Sequence, residues 1–223
     1  MRRYKTKYFK YVWLTLVISY IISFISSFFL PEKIPGHYDI YGNVTRMGSK
    51  YEIFVGAIAS TIVTLFLFIL SKKQKNDTEE ITKDKIKENS KIDIINIMSN
   101  IYFILFTIQG VLSGMDIIEF RHNTLFSIMY NVFVLSLGIL CLKIDKNEAI
   151  GFRTKWTMYN EITWKRSNSF AGIILIIVSI ANIFISLFIL SRYLIIYNLS
   201  TLILSVFISL IYSRFVYNAE ISR

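Results

Sequence analysis

The sequence is poor in the residues that carry most chemistry. It has one cysteine, two histidines and two prolines in 223 residues. A single cysteine, Cys141, allows no disulfide framework within the chain, and it reads as a small core residue. Charge is also missing where it would matter most. Six blocks, at about 11–30, 53–71, 94–115, 124–142, 169–191 and 193–213, contain no Asp, Glu, Lys, Arg or His. Ion- and proton-coupled carriers keep ionisable groups at membrane depth, so their absence argues against that class. An intramembrane hydrolase needs a buried Ser–His pair, two aspartates or a metal held by His and Glu. Both histidines, His37 and His122, fall between blocks, which argues against that class too.

What is present is apolar surface in long runs. Hydrophobic residues make up 54% of the chain, and the mean hydropathy is +0.50. Each block has roughly the 20 residues that a helix needs to cross about 30 Å of hydrocarbon. The expected fold is therefore an all-α membrane protein with six transmembrane helices. The first block follows a basic stretch, as in a signal peptide. It is too long for that, and bulky Phe28-Phe29-Leu30 stands where a peptidase needs small residues, so it reads as a retained span.

The net charge of +10 could suggest nucleic acid, but its distribution suggests a bilayer instead. The N-terminal tail, residues 72–93, residues 143–168 and the C-terminal tail hold 20 of the 25 Lys and Arg residues. That asymmetry is the positive-inside pattern. It predicts both termini in the cytoplasm, loop 31–50 outside, a linker 72–93 inside, loop 116–123 outside, segment 143–168 inside and a tight turn near Arg192 outside. The lipid bilayer is the expected partner; direct nucleic-acid binding is not. The organisation read from this is two spans with an outer loop over 1–71, a charged cytoplasmic linker over 72–93, solvated as a helix extension or disordered, and four spans over 94–223.

Loop 31–50 is a shaped segment. It holds both prolines, Pro31 and Pro35, and three of the nine glycines, Gly36, Gly42 and Gly48. His37 to Tyr41 is β-prone, Gly42-Asn43 fits a two-residue hairpin turn, and Val44 to Met47 can return. A small hairpin over the outer mouth of the helices is expected, with His37 and Asp39 holding its shape. His37, Asp39, Asp116, Glu119 and His122 share that side, but nothing in their spacing demands a metal. No metal or other cofactor is expected. Segment 143–168 has two of the three tryptophans, with Trp156, Tyr159, Asn160, Thr163 and Trp164 at helical spacing. Thr157 is a candidate N-cap. With Arg153, Lys155, Lys165 and Arg166 near lipid phosphates, this segment reads as an amphipathic helix along the inner surface. Within the spans, Gly110 and Gly114 form a small-xxx-small pair, and Asn100, Gln109, Asn131 and Asn182 can bond across helices.

Pro35, His37, Tyr38, Asp39, Gly42, Gly48 and Lys50 together resemble the outer-loop signature of SdpI-type bacterial membrane proteins. Gly151, Arg153, Thr154, Trp156, Asn160, Glu161, Trp164 and Lys165, followed by Ala171-Gly172, resemble the family's carboxyl-half signature. The chain departs from it at Thr45, where such sequences often carry an acid, and at Lys155, where proline is common. The resemblance implies an immunity protein that meets a secreted hydrophobic peptide toxin outside and can hold a repressor, or another protein, inside. A passive transporter or exporter of small solutes, an enzyme acting through His37 and Asp39, and an accessory subunit of another membrane complex remain as alternatives.

Overall fold

A computed structural model describes residues 6–72, 79–117, 122–146, 150–188 and 193–222. The elements run α1 (Phe9–Phe29), β1 (Lys33–Tyr38), β2 (Val44–Ser49), a short 3-10 turn (Lys50–Phe54), α2 (Val55–Lys72), α3 (Glu79–Gly114), α4 (His122–Lys143), α5 (Glu161–Phe188) and α6 (Leu194–Ile221). Six helices among the described residues are long and apolar enough to cross a membrane. The expected turn near Arg192, the carboxylate of Glu119 and the side chain of His122 lie outside the described residues.

Burial is arranged as a bilayer requires. In α1 the covered residues are Val12, Leu16, Ser19, Ser23 and Ser27, one helical face of mostly small side chains. The uncovered ones include Leu14, Val17, Ile21, Phe24 and Phe28. Lipid solvates large apolar groups, so helices meet through small residues and polar contacts instead. The chain forms two compact units, Met1–Met129 and Tyr130–Arg223, which divide within α4.

In the first unit, α1 and α2 both pack on α3. Asn100 of α3 joins the three: its Oδ1 accepts from Ser60 Oγ at 2.7 Å and Thr64 Oγ1 at 3.2 Å. Its Nδ2 donates to the Val12 carbonyl at 3.2 Å and to Thr15 Oγ1 at 3.1 Å. Gln109 is likewise buried. α3 ends in a Schellman motif: Asp116 takes φ 56°, its N–H bonds the Ser113 carbonyl, and Ile117 N–H bonds that of Leu112.

The third span starts earlier than hydropathy places it. α3 is continuous from Glu79, and Asn89, Ile92 and Asp93 are buried. From Glu79 on, the linker is the helix extension that was one of its two expected forms, but its last turns are covered rather than solvated, and the third span, Ile86–Gly114, includes charged residues. Asp93 is fully covered, and the Thr6 hydroxyl donates to its Oδ2. A hydropathy window penalises every charge and cannot foresee a partner 87 residues away.

In the second unit, α5 and α6 pack along one another. Asn131 Nδ2 donates to Asn198 Oδ1 at 2.6 Å, and Asn182 Nδ2 donates to Asn131 Oδ1 at 3.2 Å and Thr201 Oγ1 at 2.9 Å. Asn198 completes a cluster in which the sequence reading had picked out only Asn131 and Asn182.

Candidate functional site

The hairpin expected in loop 31–50 is present, but its first strand is displaced: it runs Lys33–Tyr38, so Asp39 to Tyr41, expected within it, lie in the turn. β1 and β2 pair antiparallel, with Lys33 opposite Ser49, Ile34 opposite Gly48, Pro35 opposite Met47, His37 opposite Arg46 and Tyr38 opposite Val44. The register slips on either side of His37. The turn spans Asp39 to Asn43 rather than two residues: Asp39 N–H bonds the Asn43 carbonyl at 2.9 Å, and Gly42 N–H bonds the Asp39 carbonyl at 3.0 Å. Asp39 shapes it further. Its Oδ1 accepts from the amides of Tyr41 (2.8 Å) and Asn43 (2.9 Å), and its Oδ2 accepts from Asn43 Nδ2 (2.9 Å). Gly42 has φ 86°, and a Cβ there would sit 2.6 Å from Asn123 Oδ1.

Those bonds, led by the Asn43 side chain, hold the Asp39 carboxyl below its ordinary value of 3.8. A depressed carboxyl stabilises the fold fully above its unfolded pKa and loses that contribution as pH falls through the folded pKa. The turn should therefore be unchanged from neutral pH down to the ordinary aspartate range and loosen only below it. NMR amide shifts of Tyr41 and Asn43 test this; titration above 3.8 would sink the assignment.

The other motif residues are also committed within the hairpin. His37 Nδ1 lies 2.6 Å from Thr45 Oγ1, so the residue that departs from the family pattern holds the histidine. Tyr38 OH bonds Ser113 Oγ at the end of α3. Lys50 Nζ bonds Glu32 Oε1 at 2.7 Å. Arg46 grips Glu52 with both guanidinium arms, at 2.8 and 2.7 Å, and also reaches the Gly36 carbonyl at 3.2 Å. That pairing raises the Arg46 pKa further. Sequence reasoning missed Glu52, although an Arg and a Glu flanking Gly48-Ser49 were a usable signal. Ile34, with Leu30 and Ile53, forms an apolar plug beneath the hairpin. The glycine pair of α3 receives it: a Cβ at Gly110 would lie 3.1 Å from Ile53 Cδ1, and one at Gly114 2.8 Å from Leu30 Cδ2 and 2.9 Å from Ile34 Cγ2.

A Cβ at Gly48 would fall within the Glu52 carboxylate. Gly48→Ala should displace Glu52, break its grip on Arg46 and cost about 1 kcal/mol, most of it from crowding since the ion pair is solvent-exposed. The second change Glu52→Ala should recover part of that loss. Thermal melts of the two single variants and the double variant in detergent check it, and an additive double variant refutes it.

The tryptophan segment differs from expectation. Residues 150–160 form turns rather than a surface helix, and α5 starts at Glu161. Two reciprocal caps stand in tandem. Thr154 Oγ1 accepts from Thr157 N–H at 3.1 Å, and Thr157 Oγ1 from Thr154 N–H at 2.8 Å. Asn160 Oδ1 accepts from Thr163 N–H at 2.8 Å, and Thr163 Oγ1 from Asn160 N–H at 3.1 Å. Asn160, not Thr157, caps the helix.

Trp164 is not displayed at a surface. It is 1% exposed, and its Nε1 donates to the Ile144 carbonyl at 3.0 Å. Gly151, at φ 120°, makes the room: a Cβ there would lie 2.9 Å from the indole. Asn168 ties the turn to α5 through Phe152 N–H at 2.7 Å. Trp156 is half-buried under the Arg214 guanidinium, 5.6 Å from its ring centroid. Arg153, Lys155, Glu161, Lys165 and Arg166 are exposed.

Six spans, a pinned hairpin and a braced turn segment define a multi-pass membrane protein. Residues 143–214 match the SdpI/YfhL protein family, and residues 14–61 match Domain of unknown function (DUF1648). The chain is similar to Immunity protein SdpI of Bacillus subtilis (strain 168), with 24% identity over 165 residues, 72% of each chain. That family match covers about a third of the chain. No solved structure matches it.

Proposed function

We propose that this is a cell-membrane immunity protein that intercepts a secreted, apolar antimicrobial peptide at the hairpin, with both termini in the cytoplasm. One observation carries the reading. The hairpin is held rigid by Arg46–Glu52, Lys50–Glu32 and Tyr38–Ser113, yet leaves Ile40, Tyr41, Val44 and Met47 exposed. A stiff apolar surface loses little entropy on binding a peptide. The immunity role in the name of the similar Bacillus subtilis protein and the placement of basic residues support the same reading. Capture of a cytoplasmic repressor would follow if the peptide bound two helix arrangements with unequal affinity.

The test is protection. Cells that are killed by a secreted membrane-active peptide should survive when they express the chain. Val44→Asp with Met47→Asp should abolish survival at unchanged expression and insertion. Equal killing with and without the wild-type chain would defeat the proposal. A labelled repressor that stays cytosolic in protected cells would remove its signalling part alone.

A further inference from the structure

The hairpin and the turn segment treat their cations differently. In the hairpin, Arg46 and Lys50 are each neutralised by a carboxylate within 2.8 Å. In and around the turn segment, Arg153, Lys155, Lys165 and Arg166 are exposed and have no acidic partner among the described residues. Arg214 is exposed too, with its guanidinium resting on the Trp156 ring. The acids among the described residues of this unit are Glu161 and Asp145, which are exposed, and Glu220, which is half-covered. Among the described residues, these cations therefore have no anion of the protein's own.

Position along the helices says which anion. The uncovered stripe of α5 runs Phe184, Ile180, Ile177, Ile173 and then Arg166 and Ile162, so Arg166 continues the lipid-facing side. Arg166 stands 22 residues from Phe188, about 33 Å at 1.5 Å per residue. Arg214 sits between uncovered Ile211 and Phe215 on α6, 20 residues from Leu194, about 30 Å. Each distance is roughly one hydrocarbon thickness. Both arginines thus lie where acyl chains end and phosphates begin. Half-buried Trp156 and exposed Tyr159, which meets Tyr217 edge-on at 5.2 Å, supply the aromatic groups that favour this depth.

We infer that Lys165, Arg166 and Arg214, with Arg153 and Lys155 beside them, form a binding surface for anionic phospholipid headgroups at this end of α5 and α6. Trp156 orients Arg214 by stacking, and the two tandem caps hold the turn that carries Arg153 and Lys155.

The test uses the purified full chain in mild detergent. Added phosphatidylglycerol should raise the thermal midpoint by roughly 3–5 °C at about ten times its dissociation constant, and phosphatidylcholine should not. The variant K165Q/R166Q/R214Q should lose the shift. If the triple variant does not fold, K165Q/R166Q leaves the Arg214–Trp156 contact intact and should lose at least half of it. Equal stabilisation by both lipids, or an undiminished shift in the folded variants, would overturn the inference. So would an equal effect of inorganic phosphate, which would make the ligand a soluble anion. Stabilisation by an acidic peptide such as polyglutamate but not by phosphatidylglycerol would assign the surface to a protein partner and overturn it likewise.

Discussion

Trp164→Ala should cost about 3–5 kcal/mol of stability, the range for emptying a large aromatic site. The indole is almost fully covered, and Gly151 presses on its edge. The bracing turn at Gly151 is also tied to Asn168, one helical turn after Trp164. The cavity therefore lies under the segment that leads into α5, where little can collapse to fill it. Trp164→Phe separates the contributions. It restores much of the volume but leaves the Ile144 carbonyl without its indole donor. A neutral hydrogen bond of this kind contributes about 0.5–1.5 kcal/mol, so the phenylalanine variant should recover more than half of the loss. Thermal unfolding of the three proteins in detergent decides. If alanine and phenylalanine destabilise equally, the hydrogen bond and not the volume holds the turn. In a cell, the alanine variant should be less abundant than the wild type.

The spans were legible because twenty apolar residues in a row have few alternatives in water or lipid. The hairpin was legible at its turn, where Gly42 and Asp39 act locally. Its lower half was not, because Ile34 is fixed by Gly114, 80 positions away, and Arg46 by a glutamate beyond β2. The start of α5 was misread for a different reason. Thr154-x-x-Thr157 and Asn160-x-x-Thr163 are both sound capping patterns, and each caps its own turn. The Thr163 hydroxyl, 3.2 Å from the Thr157 carbonyl, links the two turns, and that contact is invisible in either pattern alone. Trp164 was assigned to the interface on indole preference. A preference for residue type yields to a specific cavity, and only the left-handed backbone at Gly151 reveals that the cavity exists.

Gly172→Val should be comparably damaging, about 3 kcal/mol or more, because the obstacle is backbone. A Cβ at Gly172 would lie 2.7 Å from the Gly138 carbonyl oxygen, and one at Gly138 3.0 Å from the Gly172 carbonyl oxygen. Neither helix can turn a side chain aside to make room, so α4 and α5 would have to separate. Gly172→Ala should destabilise in the same direction by a smaller amount. Gly110→Ala is the contrast. Its new methyl meets only the tip of Ile53 at 3.1 Å, which can rotate. Alanine is also favoured over glycine in a helix by about 0.8–1.0 kcal/mol, so that change should be near neutral. The pair Gly138→Ala/Gly172→Ala should cost less than the two single changes together, since the first to part the helices relieves the second. Melting midpoints of these variants, with Gly138→Ala alone included, test the claim, and an additive pair would show that each glycine acts on a different neighbour. The order expected from geometry is the reverse of that expected from motif strength. Gly110 and Gly114 carry the familiar small-xxx-small spacing, whereas Gly138 and Gly172 share no motif and touch backbone to backbone.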